Sequence, residues 1–279
     1  MKKSRKNKKL NKKALLALSA VSGFLGAATT TFLYNENNSI EKTYYRAGKE
    51  KSNGDDFRIV QVSDLHGVEF GKDNIILLNE IIKLHPDLIA VTGDIIYGYE
   101  PNPESAVKFL EECLKFSKVA FVTGNHETTF TGETLDTMLR VFENMGVLVL
   151  DNETAEFEKD GKKISVTGVG ERNLICGNIK PNEEENFSVL LAHIPHFCEF
   201  YEQAGYDMVL TGHAHGGQFR LPITHTPFVA PGQGLFPKYT EGSYKVGKTE
   251  VFVSRGLGRS VVPYRLFNRP ELCVYDISL

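Results

Sequence analysis

The stretch Phe57–His66, FRIVQVSDLH, decides the fold. Its short apolar run is typical of a buried strand, and the run ends in Asp64 and His66. Two later segments have the same form, LIAVTGD at 88–94 and VAFVTGNHE at 119–127. In all three, side chains that can bind a metal ion follow a predicted buried strand.

Helical segments separate these strands. Asn74–Leu84 is amphipathic and is followed by a His-Pro pair, which ends the helix because a residue before proline avoids the α region. Ser105–Phe116 and Glu133–Met145 are the next two predicted helices, and VLVL at 147–150 is a fourth strand. Strands that alternate with helices predict a parallel sheet covered by helices, with ligands bound at the carboxyl ends of its strands.

The second half of the chain has a different pattern. Glu156–Gly168 is predicted to form a hairpin around an Asp-Gly turn, and Lys245–Ser254 a further hairpin. VLLAH at 189–193 and MVLTGHAH at 208–215 are predicted short strands. We therefore expect an α/β fold in which two sheets pack together and helices cover them.

Oxygen and imidazole ligands recur at five of these strand ends. The candidate metal ligands are Asp64, His66, Asp94, Asn125, His193, His213 and His215. This donor set contains no sulfur and suits Mn²⁺, Zn²⁺ or Fe. Residues i and i+2 of a strand point to one side, so Asp64 and His66 can bind one ion. His213 and His215 can flank the site in the same way, or the loop can divide them between two ions.

Each of these pieces is weak when it stands alone. A single histidine on an apolar strand is more often a hydrogen-bonded core residue, and a Gly-Asp pair is usually a turn. The occurrence of all five segments at predicted strand ends favours a metal site. A Gly-x-Ser-x-Gly elbow and a Walker phosphate loop are both missing from the sequence, which argues against the corresponding hydrolase and NTPase classes.

The five segments resemble the D-x-H, G-D, G-N-H-(D/E), H and G-H-x-H motifs of the calcineurin-like metallophosphoesterases. The match runs from about Phe57 to Leu279, and GHAHGGQ at 212–218 with SRGLG at 254–258 is similar to the bacterial YkuE-like branch. The resemblance implies a four-layer α/β/β/α sandwich of two mixed sheets flanked by helices. It also implies hydrolysis of phosphate mono- or diesters by a hydroxide that two divalent ions (Mn, Zn or Fe) activate.

The resemblance further implies a role for each site residue. Asp64, His66 and His215 would bind the first ion, Asn125, His193 and His213 the second, and Asp94 would bridge the two ions as part of the catalytic centre. His126 matches the catalytic histidine that is not a ligand and that contacts the phosphate or protonates the leaving oxygen. Glu127 stands where Asp is commoner in the family, and its longer side chain could orient His126.

Charge separates the remaining functional alternatives. The net charge is −3, but residues 1–13 hold eight of the 32 Lys and Arg, so the rest of the chain has 24 against 35 Asp and Glu, or −11. Such an acidic body repels a polyanion, and we expect no nucleic-acid partner. An intracellular nuclease or phosphodiesterase of the same fold is therefore a less favoured alternative. A non-catalytic, metal-stabilised scaffold is the other, and the complete ligand set argues against it.

The N-terminus has the composition of a transmembrane anchor or a signal segment. After the basic residues 1–13, Ala14–Tyr34 is uncharged and largely apolar, and about 20 such residues span a bilayer core. We predict a basic cytoplasmic tail at 1–13 and, at 14–34, a transmembrane anchor or a signal segment. Since Lys-rich flanks stay in the cytoplasm, we expect a single-pass cell-membrane protein whose catalytic domain lies on the extracytoplasmic side.

A polar connector at 35–56 is predicted to join this segment to the metallophosphoesterase domain at 57–279. Within the connector, Ile40–Tyr45 is the candidate for an edge strand. A phosphate-ester substrate is implied, and the tether favours lipid head groups or envelope phosphodiesters because it holds the site near the bilayer.

Overall fold

Two six-stranded mixed sheets lie at the centre of the structure, a computed structural model that describes residues 12–48, 56–98, 103–130, 132–183, 185–259, 262 and 264–279. The first sheet contains β1 (Glu41–Gly48), β2 (Phe57–Val62), β3 (Leu88–Thr92), β4 (Lys118–Val122), β5 (Leu148–Val149) and β14 (Glu271–Ser278). Its order is β1-β14-β2-β3-β4-β5. From β2 to β5 all neighbours are parallel, whereas β14 runs antiparallel to β2 and parallel to β1.

The second sheet is built in the same manner from the second half of the chain. It contains β6 (Glu153–Lys159), β7 (Lys162–Gly168), β8 (Phe187–Leu191), β9 (Met208–Thr211), β12 (Gly242–Val246) and β13 (Thr249–Val253). Its order is β12-β13-β9-β8-β7-β6, with a parallel centre and an antiparallel strand at each edge. A separate short hairpin consists of β10 (Val229–Ala230) and β11 (Gly234–Leu235).

The α-helices of the described residues are α1 (Lys12–Asn38), α2 (Ile75–Ile82), α3 (Pro103–Leu114), α4 (Glu133–Met145), α5 (Glu171–Ile175) and α6 (Cys198–Ala204). The helices from α2 to α6 form the outer layers. One apolar cluster joins α2, α3 and α4 to the first sheet, a second fills the space between the sheets, and a third joins α5 and α6 to the second sheet. The predicted α/β/β/α sandwich is therefore confirmed.

Local sequence explains why these elements form. All five residues of β3 are buried, which fits its continuous apolar run. In α3, Ala106, Phe109, Leu110 and Cys113 recur at helical spacing and are the buried residues of that helix. The helix α4 has the predicted bounds and ends at Gly146, whose φ of 101° is readily adopted only by glycine.

The direction of β1 fixes where α1 meets the domain. Glu41, the first residue of β1, pairs with Glu271, and Cys273 of β14 pairs with Gln61 near the carboxyl end of β2. The start of β1 therefore lies at the edge of the sheet where the predicted ligands follow β2 and β3. Since Asn38 ends α1 just before β1, the helix also joins the domain at this edge.

Within the described part of the chain, Leu15–Asn38 is the one helix long and apolar enough to cross a membrane, by length and composition. Its side chains from Leu15 to Phe32 are exposed. The predicted connector contains the last turn of α1 and the edge strand β1, which extends the strand expected at Ile40–Tyr45. Most of the predicted basic tail and residues 49–55 of the connector lie outside the described residues.

Candidate metal centre

The seven predicted ligands lie in loops that follow the carboxyl ends of strands from both sheets. Five of them have left-handed backbones, with φ between 48° and 65°: Asp64, His66, Asp94, His213 and His215. Such φ values are uncommon outside glycine and cluster at functional sites. Because β2 ends at Val62, strand alternation does not align Asp64 with His66 as the sequence argument assumed; a left-handed turn brings them together.

Asp64, His66 and His215 form the first group of donor atoms, all within 4.8 Å of one another. His66 Nε2 lies 3.1 Å from His215 Nε2, which in turn lies 3.5 Å from Asp64 Oδ1. All three side chains are buried. The group can hold one cation.

Asp94, His193 and His213 form a second group with the same limit of 4.8 Å. His193 Nε2 lies 3.2 Å from Asp94 Oδ2, and His213 Nδ1 lies 3.2 Å from His193 Nε2. Asn125 Oδ1 is 2.7 Å from His213 Nδ1 and belongs to the same cluster. His213 and His215 are thus divided between two groups, which was the second of the two sequence-based alternatives.

Asp94 is the residue that connects the groups. Its Oδ2 lies 3.2 Å from His193 Nε2 and 3.6 Å from His66 Nε2. One carboxylate oxygen therefore faces histidines from both groups.

The arrangement of ring nitrogens fits divalent cations. Nδ1 of His193 donates to the carbonyl of Thr92 at 2.8 Å, so in the neutral ring the Nε2 lone pair faces Asp94 and His213. Lone pairs that converge at 3.1–3.2 Å repel each other unless a cation or proton lies between them. Buried carboxylates and imidazoles without sulfur are a donor set for Mn²⁺, Zn²⁺ or Fe.

Burial and charge set the protonation of these groups. Burial, with His126 and His193 nearby, lowers the pKa of His66 to about 3 against the pull of Asp94. Burial, with the neighbouring His193, likewise lowers the pKa of His213 to about 3. Burial also lowers the pKa of His193, but Asp94 and Asp64 overcome this effect and raise it to about 10. His66 and His213 are therefore neutral at pH 7, with lone pairs available to a metal.

Glu127 holds two site loops together through their main chains. Its Oε2 accepts hydrogen bonds from the amides of Asp94 and Gly124, each at 2.8 Å, and its Oε1 accepts one from Ile96 at 3.2 Å. Burial and the Asp94 charge raise the pKa of Glu127 to about 7, and the three amide bonds act against that rise. These contacts give Glu127 a role in fixing the loops after β3 and β4, in place of the expected role in orienting His126.

Gly93 allows the two loops to approach. Its φ is 85°, and a Cβ at this position would lie 2.7 Å from both Gly124 Cα and His193 Nδ1. Any larger residue would displace the ligand that follows it, Asp94.

His126 is buried beside His66 and Asp94, and the donor atoms of these three residues form a third group within 4.8 Å of one another. Its ring centroid is 4.5 Å from that of His66, and its Nδ1 accepts a hydrogen bond from the Gly98 amide at 2.9 Å. An imidazole that accepts at Nδ1 carries its proton on Nε2 when it is neutral. Burial lowers the pKa of His126, which favours that neutral form.

Sequence reasoning missed one buried arginine beside the site. Arg265 is almost fully buried, and its Nη2 lies 3.5 Å from Nδ1 of His215. The same guanidinium donates to the carbonyls of Gly258 and Arg255 at 2.8 Å. No motif marks this residue, since its neighbours in space are distant in the chain.

Comparison with known proteins agrees with this geometry. A sequence profile of the calcineurin-like phosphoesterase family matches residues 57–217, more than half of the chain. The chain belongs to this family. It is a hydrolase of phosphoric esters, and the YkuE-like branch expected from the motifs is confirmed.

Two bacterial relatives cover most of this phosphoesterase. The metallophosphoesterase YkuE of Bacillus subtilis is 31% identical over 238 residues, 80% of this chain and 80% of the relative. The phosphodiesterase YaeI of Escherichia coli is 27% identical over 252 residues, 88% and 90% of the respective chains. Among solved structures, the phosphopantetheinyl hydrolase of Mycobacterium tuberculosis is similar with a TM-score of 0.46 and 13% identity, covering 73% of this chain and 91% of that one.

Proposed function

We propose that this phosphoesterase binds two divalent ions with the seven predicted ligands. Asp64, His66 and His215 hold the first, Asn125, His193 and His213 hold the second, and Asp94 contacts both. The observation that carries the proposal is the position of Asp94 Oδ2 between His66 and His193, at 3.6 and 3.2 Å. When bound, such ions neutralise phosphate charge and lower the pKa of water to supply a nucleophile.

His126 acts on the leaving group in this proposal. In the neutral ring Nδ1 accepts from the Gly98 amide, and the Nε2–H can donate a hydrogen bond to the phosphate or the leaving oxygen. When the ring takes up a second proton on Nδ1, in place of the Gly98 bond, the imidazolium can protonate the leaving oxygen and return to the neutral form; general acids of this kind typically contribute about 10²- to 10⁴-fold. Asp94 Oδ1 accepts a hydrogen bond from the main-chain amide of His126 at 2.8 Å. This bond links the position of His126 to that of Asp94.

The substrate class follows from where α1 meets the domain. We propose a phosphate ester at a membrane surface, such as a lipid head group or an envelope phosphodiester, because α1 joins the edge of the sheet that carries the ligands. The name of the Escherichia coli relative, a phosphodiesterase, supports including diesters among the substrates.

The proposed topology is a cytoplasmic N-terminus and an extracytoplasmic catalytic domain. The eight cations of residues 1–13 resist translocation and support this orientation. Within the residues that the structure describes, one helix has a suitable length and composition, which supports a single crossing.

A metal-reconstitution assay tests the function. Full-length protein in detergent is stripped with a chelator, reloaded with Mn²⁺ or Zn²⁺, and assayed on p-nitrophenyl phosphate and bis-p-nitrophenyl phosphate. We expect hydrolysis of at least one ester only after reloading, with two metal ions per chain by elemental analysis. Two bound ions without hydrolysis of either ester would instead favour the scaffold alternative.

A further inference from the structure

A long uncharged loop follows the GHAHGG segment. Residues 221–237, here called the apolar loop, contain no Asp, Glu, Lys or Arg, and Arg220 and Lys238 bound them. Its large apolar side chains point into solvent: Ile223 is 89% exposed, Phe236 66% and Leu235 64%. A soluble surface rarely shows this many exposed apolar residues in so short a segment, unless the surface binds something.

Four of the exposed side chains lie close together, in and beside the β10–β11 hairpin. Val229 pairs with Leu235 across the β10–β11 hairpin, so both lie on the same face. The rings of Phe228 and Phe236 are 6.1 Å apart, and the Phe236 amide donates to the Phe228 carbonyl at 3.1 Å. The hairpin therefore presents four adjacent apolar side chains.

The apolar loop lies beside the end of α1. The Arg220 amide donates to the carbonyl of Leu266 at 3.1 Å, and the ring of the next residue, Phe267, lies 5.4 Å from that of Phe32 on α1. A cavity of about 650 Å³ is lined by Glu36 of α1, by Phe267 and by His225 of the loop. The loop and the membrane-length helix are thus parts of one side of the molecule.

The position of the apolar loop beside α1 indicates that a lipid bilayer contacts the loop. If α1 enters a bilayer, its last turn lies at the bilayer surface, and a neighbouring loop that is apolar and uncharged is brought to the same surface. Aromatic and aliphatic side chains favour the boundary between head groups and acyl chains. Exposed Lys238 at the end of the loop can remain among the head groups.

We propose that the apolar loop is a second membrane contact, which inserts Ile223 and the β10–β11 hairpin into the bilayer that α1 crosses. With two contacts, the catalytic domain cannot rotate freely about its anchor. The loop begins three residues after Gln218, where the GHAHGGQ motif ends, so its insertion holds the ligand-bearing edge against the lipid surface.

Tryptophan fluorescence can test this contact, because the native chain contains no Trp. Ile223→Trp and Phe236→Trp each give a single reporter in the full-length chain, which is reconstituted into phosphatidylcholine vesicles. The matched control is Ile82→Trp: Ile82 is exposed and ends α2, just before the amino end of β3 and so at the opposite edge of the sheet. Each protein is compared in plain vesicles, in vesicles of lipid brominated high on the acyl chain, and with the aqueous quencher acrylamide.

We expect the emission of both loop reporters to shift to the blue, to fall in brominated lipid and to resist acrylamide. The emission of the Ile82→Trp control should not shift to the blue or fall in brominated lipid, and acrylamide should quench it. Loop reporters that acrylamide reaches freely and that bromine does not quench would overturn the proposal. Protection from both quenchers would also overturn it, since a second copy or a protein partner would then cover the loop. These outcomes do not depend on the metal centre or on hydrolysis.

Discussion

Asn37, in the last turn of α1, exchanges two hydrogen bonds with the main chain of Arg265. Its Nδ2 donates to the Arg265 carbonyl at 3.1 Å, and its Oδ1 accepts from the Arg265 amide at 2.7 Å. The guanidinium of Arg265 lies 3.5 Å from His215. Arg265 thus contacts both Asn37, at the end of the proposed membrane helix, and His215, a proposed metal ligand.

The first prediction concerns this contact. Asn37→Ala leaves a buried amide and a buried carbonyl without their partners, which costs about 1–3 kcal/mol. We expect a lower midpoint of thermal unfolding for the full-length protein in detergent. Asn38→Ala is the matched control, because Asn38 is bonded only within α1, to the Tyr34 carbonyl, on an exposed surface. An equal midpoint for the two variants would show that the Asn37 contact does not support the domain.

The second prediction concerns Asp94. Asp94→Asn keeps the shape of the side chain and the acceptor for the His126 amide, but removes the charge that offsets two dications. We expect loss of at least one metal ion per chain and of most activity, with the circular dichroism spectrum unchanged. Elemental analysis and ester hydrolysis measure both effects. Two ions and full activity in this variant would contradict the shared-ligand assignment.

The third prediction concerns Glu127. In Glu127→Gln, an amide NH₂ would face amides that now donate to a carboxylate, so at least one buried donor loses its acceptor. We expect the free energy of unfolding to fall by about 1–3 kcal/mol. We also expect metal to be released at a lower chelator concentration. The exposed residue Glu133, in the first turn of α4, provides the control Glu133→Gln. Similar chelator curves for the two variants would count against the loop-fixing role.

The sequence could predict which candidate ligands lie close together because short motifs carry them. Each motif follows a strand that can be recognised from a short apolar run. Parallel strands then bring their carboxyl ends to one edge of the sheet. The geometric reason given for Asp64 and His66 was nevertheless wrong. Strand periodicity does not reveal where a strand ends, and here β2 stops before Asp64, so that left-handed residues complete the site.

Other features could not be read from the sequence because they depend on distant partners. The bond between Asn37 and Arg265 joins residues 228 positions apart. The strand β14 was not predicted, although it separates β1 from β2 in the first sheet. Its position, like that of Arg265, is decided by packing between the two ends of the chain.

The fourth prediction separates acid catalysis by His126 from metal binding. His126→Gln should leave the metal content unchanged and lower kcat by about 10²- to 10⁴-fold on esters with poor leaving groups. The loss should be smaller for p-nitrophenyl esters, whose leaving oxygen needs little protonation. A loss of metal, or an equal loss on both kinds of ester, would argue that His126 has another role.

The last prediction concerns topology and uses a residue that the chain already has. Among the four cysteines, all free in the structure, Cys176 is exposed whereas Cys113, Cys198 and Cys273 are buried. A membrane-impermeant maleimide added to intact, wall-stripped cells should therefore label the native protein at Cys176 if the catalytic domain is extracytoplasmic. Cys176→Ser should abolish labelling, which identifies the site. Labelling that requires cell lysis would place the domain in the cytoplasm and contradict the proposed orientation, while the metal-centre assignment would stand because it depends on other residues.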